Sequence, residues 1–471
     1  MSPIERKEFV RDHFDVLAKD YDKWKKKNSY YYRSLKAFIK HIVQPNSSVL
    51  EIGCATGDIL ASTNPSRGVG IDISSEMIKL ASEKHPQQEF VNTSIENFQN
   101  QEKFDYIIMV DVIDHVYDVM DVFKAVYQHC HPTTRIVLTT ASPWWDPVFM
   151  IMEKFKAKMP EGPHNFVEIK NIANILELLD FKVNYFGYML LFPKYIPILS
   201  YLANTVGVRT WGVRRLSPIQ YMLIQPLMRN EINLGLGCSV IIPCYNEENN
   251  IEEAIRRIPS MGKYTEIIVV NDGSQDRTAD CVRELQKKYS NLKLIDNPSN
   301  KGKGYAIQQG FAAATQEILM TLDADLSVPP EELPRFFDPL NKAQGQFVNG
   351  TRMVYPMIEP QRMRTVGLLG NKILGQIMTF IIRQDLSDTL CGTKAFYKRD
   401  LKYMNMGVDK WGDFDLLFGA AKLGNTILEV PVHYKSRKTG EPRMKLFRHG
   451  FYILKACFRG IRELMADLQV N

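Results

Sequence analysis

The sequence predicts an α/β protein of two domains, and three observations carry that expectation. The chain has 471 residues, more than one hydrophobic core ordinarily serves. Two stretches, "SSVLEIGCATGDILA" near residue 50 and "CSVIIPCYNEENNIEEAI" near residue 240, each run from an apolar strand through a turn into a helical pattern. Between them, residues 187–236 are rich in Leu, Ile, Pro and aromatics, too apolar for a free tether. The expected division is a first domain over 1–186, an apolar connector over 187–236 packed into a domain interface, and a second domain over 237–471.

Composition narrows the function. Apolar residues make up 45% and charged residues 24%, which is globular and not disordered. A formal net charge of +6 without a long basic run argues against nucleic acid. It suits an anionic small substrate or a membrane surface. The seven cysteines form no CxxC pair and are odd in number, which fits a reducing compartment and gives no disulfide or zinc framework. The start, "MSPIERKEFVRDHF", lacks the apolar core of a secretory signal. No apolar run reaches the ~18 residues of a spanning helix. The expected location is therefore cytoplasmic, with peripheral attachment to the cytosolic face of a membrane left open.

In the first domain, "VLEIGCATG" ends a strand in a glycine-rich turn. The spacing is E-x-G-x-x-x-G, which fails the GxGxxG nicotinamide fingerprint. "VGIDIS" follows as a second strand ending in Asp72, whose carboxylate can accept hydrogen bonds from two ribose hydroxyls. "FDYIIMVDVIDHVYD" reads as a fourth strand and its loop, with His115 as the one candidate base. Together with "FDVLAKDYD" upstream, these stretches resemble a class I S-adenosylmethionine-dependent methyltransferase over roughly residues 10–185. The resemblance implies that Gly53 and Gly57 let the backbone approach the cofactor, that Glu51 anchors the loop and that Asp72 holds the ribose. In "VNTSIENF", Ser94 stands where many relatives carry an acid near the adenine amine. Methyl transfer asks little of side chains, because the sulfonium carries the reactivity and the protein positions an acceptor in line.

In the second domain, "SVIIPCYNEENNI" is a buried strand running into Pro243, Tyr245, Asn246 and Glu247. "EIIVVNDGSQDRT" ends in Asp272, and "NPSNKGKGYAIQQGF" offers Lys301 and Lys303. "LMTLDADLSVPPEEL" delivers Asp323 and Asp325 just past another strand. Polar groups after strand ends are where open α/β sheets bind ligands. In extended geometry Asp323 and Asp325 face the same way, with Ala324 turned away. Carboxylates that close repel unless a cation sits between them. A hard divalent ion, Mg2+ or Mn2+, resolves this and leaves sites for substrate phosphates.

These motifs resemble family 2 glycosyltransferases of the GT-A fold, from about residue 237 onward. "SDTLCGTKAF" and "WGDFDLLFGAAKLG" are similar to the branch that makes polyprenyl-phosphate sugars. Taken together, the two resemblances imply two Rossmann-like α/β domains, an N-terminal methyltransferase sandwich and a C-terminal GT-A glycosyltransferase fold. The second implies nucleotide-sugar binding, with a UDP- or GDP-linked donor, by Pro243, Tyr245, Glu247, Asp272, Lys303 and Asp323. Asp323 and Asp325 are implied to hold the metal and diphosphate. "GTRM" makes Arg352 a candidate for the acceptor phosphate. "RKTGEPRMK" resembles R-x-x-G-E-S-K, with Pro442 for Ser and Arg443 for Lys, and adds Arg437 and Arg443 to that role. Members of this branch invert the anomeric centre by direct displacement. A phosphate acceptor is already anionic, with a second pKa of about 6, so it needs no strong base. Asp413 and Asp415 serve as base or order the loop over the sugar, with positioning favoured for Asp415. Asp388 binds sugar hydroxyls or shapes the Cys391–Gly392 turn.

The implied function is bifunctional or bimodular. It combines metal-dependent transfer of a sugar from a nucleotide diphosphate to a polyprenyl phosphate with methyl transfer from S-adenosylmethionine. The alternative is a non-lipid hydroxyl acceptor, with the first domain a catalytically silent binding module. In "FRHGFYILKACFRGIRELM", Phe451, Leu454, Phe458, Ile461 and Met465 recur at helical spacing, with Lys455, Arg459 and Arg462 on an adjacent face. Such a helix lies in a bilayer surface or packs on the catalytic domain with its basic face solvated. The apolar run near Gly367–Ile382 is a second candidate for interfacial contact.

Overall fold

In the first unit, Met1–Arg229, buried parallel strands read as near-continuous apolar runs, and the sequence supplies several such runs. They are β1 (Ser48–Ile52), β2 (Arg67–Asp72), β4 (Tyr106–Val110) and β5 (Arg135–Ala141), joined at the edge by the short, part-exposed β3 (Glu89–Asn92). In this computed structural model, which describes residues 3–160, 162, 164–165, 167–210, 213–228, 232–355, 365–435 and 446–465, they pair in parallel in the order 3-2-1-4-5. β6 (Phe181–Met189) and β7 (Ile219–Pro226) complete the sheet, with β7 antiparallel to both β5 and β6. Helix starts follow capping chemistry. The Ser74 hydroxyl accepts from the Met77 amide ahead of the helix Ser75–Lys84, and Asp118 accepts from the Met120 and Asp121 amides ahead of Val119–Gln128.

This topology corrects the expected connector. Residues 187–236 hold the end of β6 and all of β7, and the division falls between Arg229 and Asn230. The apolarity of the segment has a different cause from the one expected. Ile219, Met222 and Ile224 of β7 are buried within the first unit's own sheet.

The second unit, Asn230–Asn471, repeats the logic with β8 (Cys238–Cys244), β9 (Thr265–Asp272), β10 (Leu292–Asn297), β11 (Ile318–Thr321), β12 (Phe347–Thr351), β13 (Lys394–Tyr397) and β14 (Ile427–Pro431). The order is 10-9-8-11-13-12-14, and β13 runs antiparallel to β11 and β12. Its core gathers Ile241, Ile268, Phe311, Leu319, Phe347 and Phe396 with Phe414 and Phe418. Both sheets thus present the carboxyl ends of parallel strands as a rim for polar loops.

Two candidate active sites

The first site lies at the carboxyl ends of β1, β2 and β4. Gly53 and Gly57 both adopt left-handed φ, +69° and +72°. A Cβ at Gly53 would stand 2.1 Å from Val112 Cγ2, and one at Gly57 would stand 2.6 Å from Phe90. Packing against neighbours therefore demands glycine at both positions, and of the two only Gly53 lines the cavity. Glu51 is fully buried, and its carboxylate accepts from the Leu60 amide (2.9 Å), tying β1 to the helix Asp58–Ser62. Burial pushes its carboxyl up to about 8. Asp72 accepts from the Ala55 and Ser74 amides, each at 2.9 Å, so it fixes the glycine-rich turn. A carboxylate offers about four acceptor sites, so the group has capacity beyond these amides. Burial also pushes Asp72 up, to about 6.

A cavity of about 290 Å³ opens over these groups. The long helix Pro3–Lys27 contributes to its wall through Arg6, Lys7, Phe14, Tyr21 and Lys25. Lys25 pairs with Asp58, which also accepts from Lys84 (3.3 Å) and meets the His85 ring (3.0 Å). Burial alone would raise the Asp58 carboxyl, but Lys25 and His85 outweigh it and hold it well below the usual range. Ser94 accepts from Lys7 (3.0 Å), and Lys7 also pairs with Glu96 (3.2 Å). The acid absent at Ser94 thus appears two residues on, still on the cavity wall. His115 stacks edge-on against Phe14, with ring centroids 5.2 Å apart.

The second site lies at the carboxyl ends of β8, β9 and β11. Lys303 opens the helix Lys303–Ala313, and its ammonium stands 2.6 Å from Asp323. Burial would depress this lysine, but the field of Asp323, Asp413 and Asp325 outweighs it and raises its proton affinity. The counter-charge that a carboxylate pair requires is thus partly supplied by a side chain. Asp323 and Asp325 do not continue β11 as alternating strand residues. The strand ends at Thr321, Ala324 and Asp325 form a turn, and Leu326 takes φ +58°. Asp325 accepts from the Ser327 amide (3.0 Å). Asp272 accepts from the Lys301 and Gly302 amides (2.9 and 2.8 Å), and so fixes the loop that precedes Lys303. Glu247 accepts from the Asn250 side chain (2.8 Å), while its amide donates to Thr278 (2.9 Å). Pro243 is the penultimate residue of β8, which ends at Cys244, and Tyr245 and Asn246 begin the following loop, Asn246 with φ +55°.

Asp413 and Asp415 open the helix Asp413–Lys422 and point to different partners. Asp413 pairs with the fully buried Lys394 at 3.1 Å. Asp415 accepts from the amides of Gly407, Val408 and Asp409 (2.9–3.1 Å) and from Arg459 (2.7 Å). The Lys410 carbonyl then accepts from the Gly304 amide at 3.1 Å, beside Lys303. Asp415 is therefore a loop-holding residue. Arg352 forks onto Asp388 with 2.6 and 2.8 Å contacts, and its amide donates to the same carboxylate (3.1 Å). Burial would raise Asp388, but Arg352 outweighs it and holds the carboxyl below its ordinary value. Asp388 also accepts from the Leu390 amide (3.0 Å), just ahead of the Cys391–Gly392 turn. Around the pair, Asn371 donates to Asp388, and Glu429, pushed up to about 7 by burial, accepts from Ser387 and the Asp388 amide.

Comparison with known proteins decides what these rims belong to. Residues 24–185 match the family description "Methyltransferase domain", and residues 239–403 match "Glycosyl transferase family 2". The chain joins a methyltransferase domain to a family 2 glycosyltransferase domain. Curated relatives include an undecaprenyl-phosphate 4-deoxy-4-formamido-L-arabinose transferase of Edwardsiella ictaluri, 31% identical over 45% of this chain and 63% of that protein. A dolichyl-phosphate beta-glucosyltransferase of Trichomonas vaginalis is 31% identical over 42% of this chain and 65% of its own length. A dolichol-phosphate mannosyltransferase of Pyrococcus furiosus is 29% identical over 46% of this chain and 63% of its own length. The chain spans just under two thirds of the length of these relatives.

In the methyltransferase domain the structure gathers Glu51, Gly53, Asp72 and Ser94 on one cavity and leaves Gly57 behind it. Sequence reading missed Asp111, which directly follows β4, whereas Asp72 closes β2. Asp111 accepts from the Tyr31 hydroxyl (2.5 Å) and from Thr139 (2.8 Å), and it takes φ +54°. Its position after an apolar run was the available signal. In the glycosyltransferase domain, Lys303, Asp323 and Asp413 come together, and Arg352 is forked onto Asp388. Arg437 and Arg443 lie outside the described residues. Arg459, expected on a basic face turned either to a bilayer surface or to solvent, instead pairs with Asp415. Phe458 and Ile461 do face outward, while the side chains of Phe451, Leu454 and Met465 lie outside the described residues.

Glu51 also sets a pH response. Its folded-state pKa of about 8 lies above the unfolded value of about 4.3, so the unfolded chain sheds its proton first as pH rises. The stability it contributes is full below about pH 4 and is lost up to about pH 8. Glu51→Gln is expected to flatten this fall in the unfolding free energy of the methyltransferase domain between pH 5 and 8. An unaltered pH slope in urea unfolding of the variant would refute the assignment.

Proposed function

We propose that the glycosyltransferase domain moves a sugar from a nucleotide diphosphate, UDP- or GDP-linked, to a polyprenyl phosphate with inversion, and that the methyltransferase domain transfers a methyl group from S-adenosylmethionine. The observation that carries the first part is the ion pair of Lys303 with Asp323 (2.6 Å), just past the carboxyl end of β11. The matched relatives, named for polyprenyl-phosphate sugar transfer, support the acceptor class.

The donor set fits a hard divalent ion. Asp323 and Asp325 offer carboxylate oxygens at the end of β11, and Lys303 already balances part of their charge. A bound Mg2+ or Mn2+ would neutralise charge on the departing diphosphate. Pro243, Tyr245, Glu247 and Asp272 belong to the nucleotide side of the site. Lys303 adds a cation that stays within reach of Asp323 throughout. Asp415 keeps the loop 407–410 over Gly304, and Asp413 keeps Lys394 in place. Arg352, held rigid by Asp388, supplies the positive field for an acceptor phosphate, and Arg437 and Arg443 join it in this reading.

The cavity of the other domain fits the methyl donor. Glu51 and Gly53 set the turn, Asp72 has lone pairs toward a ribose, and Ser94 and Glu96 border the base end. The sulfonium supplies its own leaving group when bound, so the residues around it orient and exclude water.

Peripheral contact with the cytosolic face of a membrane belongs to the same reading. No helix among the described residues is long and apolar enough to cross a membrane. The helices Thr365–Ile382 and Leu446–Met465 leave Ile373, Ile377, Phe380 and Phe458 exposed, with Lys455 and Arg462 also at the surface. An apolar surface with adjacent cations suits an anionic bilayer.

The test is a panel of UDP- and GDP-sugars offered with a polyprenyl phosphate and Mg2+ or Mn2+, followed by mass analysis. Sugar recovered in the organic extract is expected. Sugar found only in an aqueous product would overturn the lipid acceptor in favour of a soluble hydroxyl.

A further inference from the structure

Arg6 is the one arginine among the described residues that is buried, and the one with two shielded guanidinium nitrogens left unpartnered. It lies on the helix Pro3–Lys27 and lines the methyltransferase cavity. Only 9% of the residue is exposed, and its Nε and Nη2 are shielded from solvent without a hydrogen-bond partner among the described residues. Arg352 and Arg459, by contrast, are each committed to a buried carboxylate. The adjacent Lys7 is satisfied by Ser94 and Glu96. Burial depresses the proton affinity of Arg6, and the neighbouring Tyr117 offsets this only in part.

Burying a guanidinium without a counter-charge is costly, and a chain retains such an arrangement where a ligand completes it. The planar fork of a guanidinium matches a carboxylate or phosphate in bidentate fashion. We propose that Arg6 is the receptor for an anionic group, a carboxylate or a phosphate, on the molecule that fills this cavity. The inference rests on the reading of the cavity as a methyl-donor site. Two sources offer that chemistry: the methionine carboxylate of the donor, and an acidic group of the methyl acceptor.

The experiment uses the full chain, as wild type, Arg6→Met and Arg6→Lys, with calorimetric titration of three probes. S-adenosylhomocysteine carries the carboxylate, 5′-methylthioadenosine lacks it, and inorganic pyrophosphate is added at saturating S-adenosylhomocysteine. If Arg6 receives the donor's carboxylate, Arg6→Met weakens S-adenosylhomocysteine at least tenfold and leaves methylthioadenosine unchanged. If it receives the acceptor's anion, S-adenosylhomocysteine binds as in wild type and one pyrophosphate site is lost relative to wild type. In either case Arg6→Lys recovers part of the loss, and the melting temperature of ligand-free Arg6→Met is equal to or above that of wild type. Arg6→Met that takes both anions as wild type does overturns the inference, as does a wild type that takes neither. A wild type that ignores S-adenosylhomocysteine but holds pyrophosphate through Arg6 instead overturns the methyl-donor reading and leaves the anion receptor standing.

Discussion

Asp325→Asn is expected to lower glycosyl transfer by about 10²–10³-fold, the usual loss when one charge-stabilising group is removed from a reacting site. The fold should survive, because the retained Oδ1 of asparagine still accepts from the Ser327 amide. Donor-analogue binding to the methyltransferase domain should be untouched. The assay is transfer at saturating nucleotide sugar, run beside calorimetry with Mn2+ alone, which should bind more weakly to the variant. Full-rate transfer by Asp325→Asn would end the metal-clamp reading. Asp323→Asn is predicted to behave differently, since it also removes the carboxylate nearest Lys303 and leaves that ammonium to Asp413.

Arg352→Met is expected to destabilise the glycosyltransferase domain by about 3–5 kcal/mol, because it strands a fully buried carboxylate. Asp388 would keep only its amide donors and Asn371. The check is urea unfolding of the single variant against the double variant Arg352→Met/Asp388→Asn, in which no charge is left alone. Recovery of most of the stability in the double variant is the expected result. Equal stability of wild type and the single variant would show that the pair contributes little to folding. Arg352→Lys should not substitute, since an ammonium cannot make the same fork.

Much of both rims was legible because it follows from strand ends. Asp72, Asp272 and Asp323 each close or follow an apolar run, and a carboxylate there has few purely local reasons to exist. What escaped was set by tertiary placement. Tyr31, Lys25 and Arg6 sit on helices whose polar residues look like a solvated surface until the helix is laid beside the rim. β7 reads as a connector in the sequence because an apolar segment carries no mark of which sheet it will join, and its partners β5 and β6 are distant in sequence. The alternation expected of Asp323 and Asp325 failed because the strand stops two residues earlier and the chain turns. The sequence "GDFD" allows Asp413 and Asp415 either one strand face or a split around a helix start, and the helix start sends them to Lys394 and to the loop amides.

The contact between Arg459 and Asp415 gives the last long helix a mechanical role. The guanidinium reaches the carboxylate, the carboxylate gathers three amides, the next carbonyl takes the Gly304 amide, and Lys303 begins beside it. A displacement of Leu446–Met465 would therefore be transmitted as a tug on the helix end that carries the lysine facing Asp323. The outer surface of that same helix exposes Phe458 and Ile461 to whatever lies alongside. Leverage on the Lys303–Asp323 pair is thus built into a helix that also carries exposed apolar side chains.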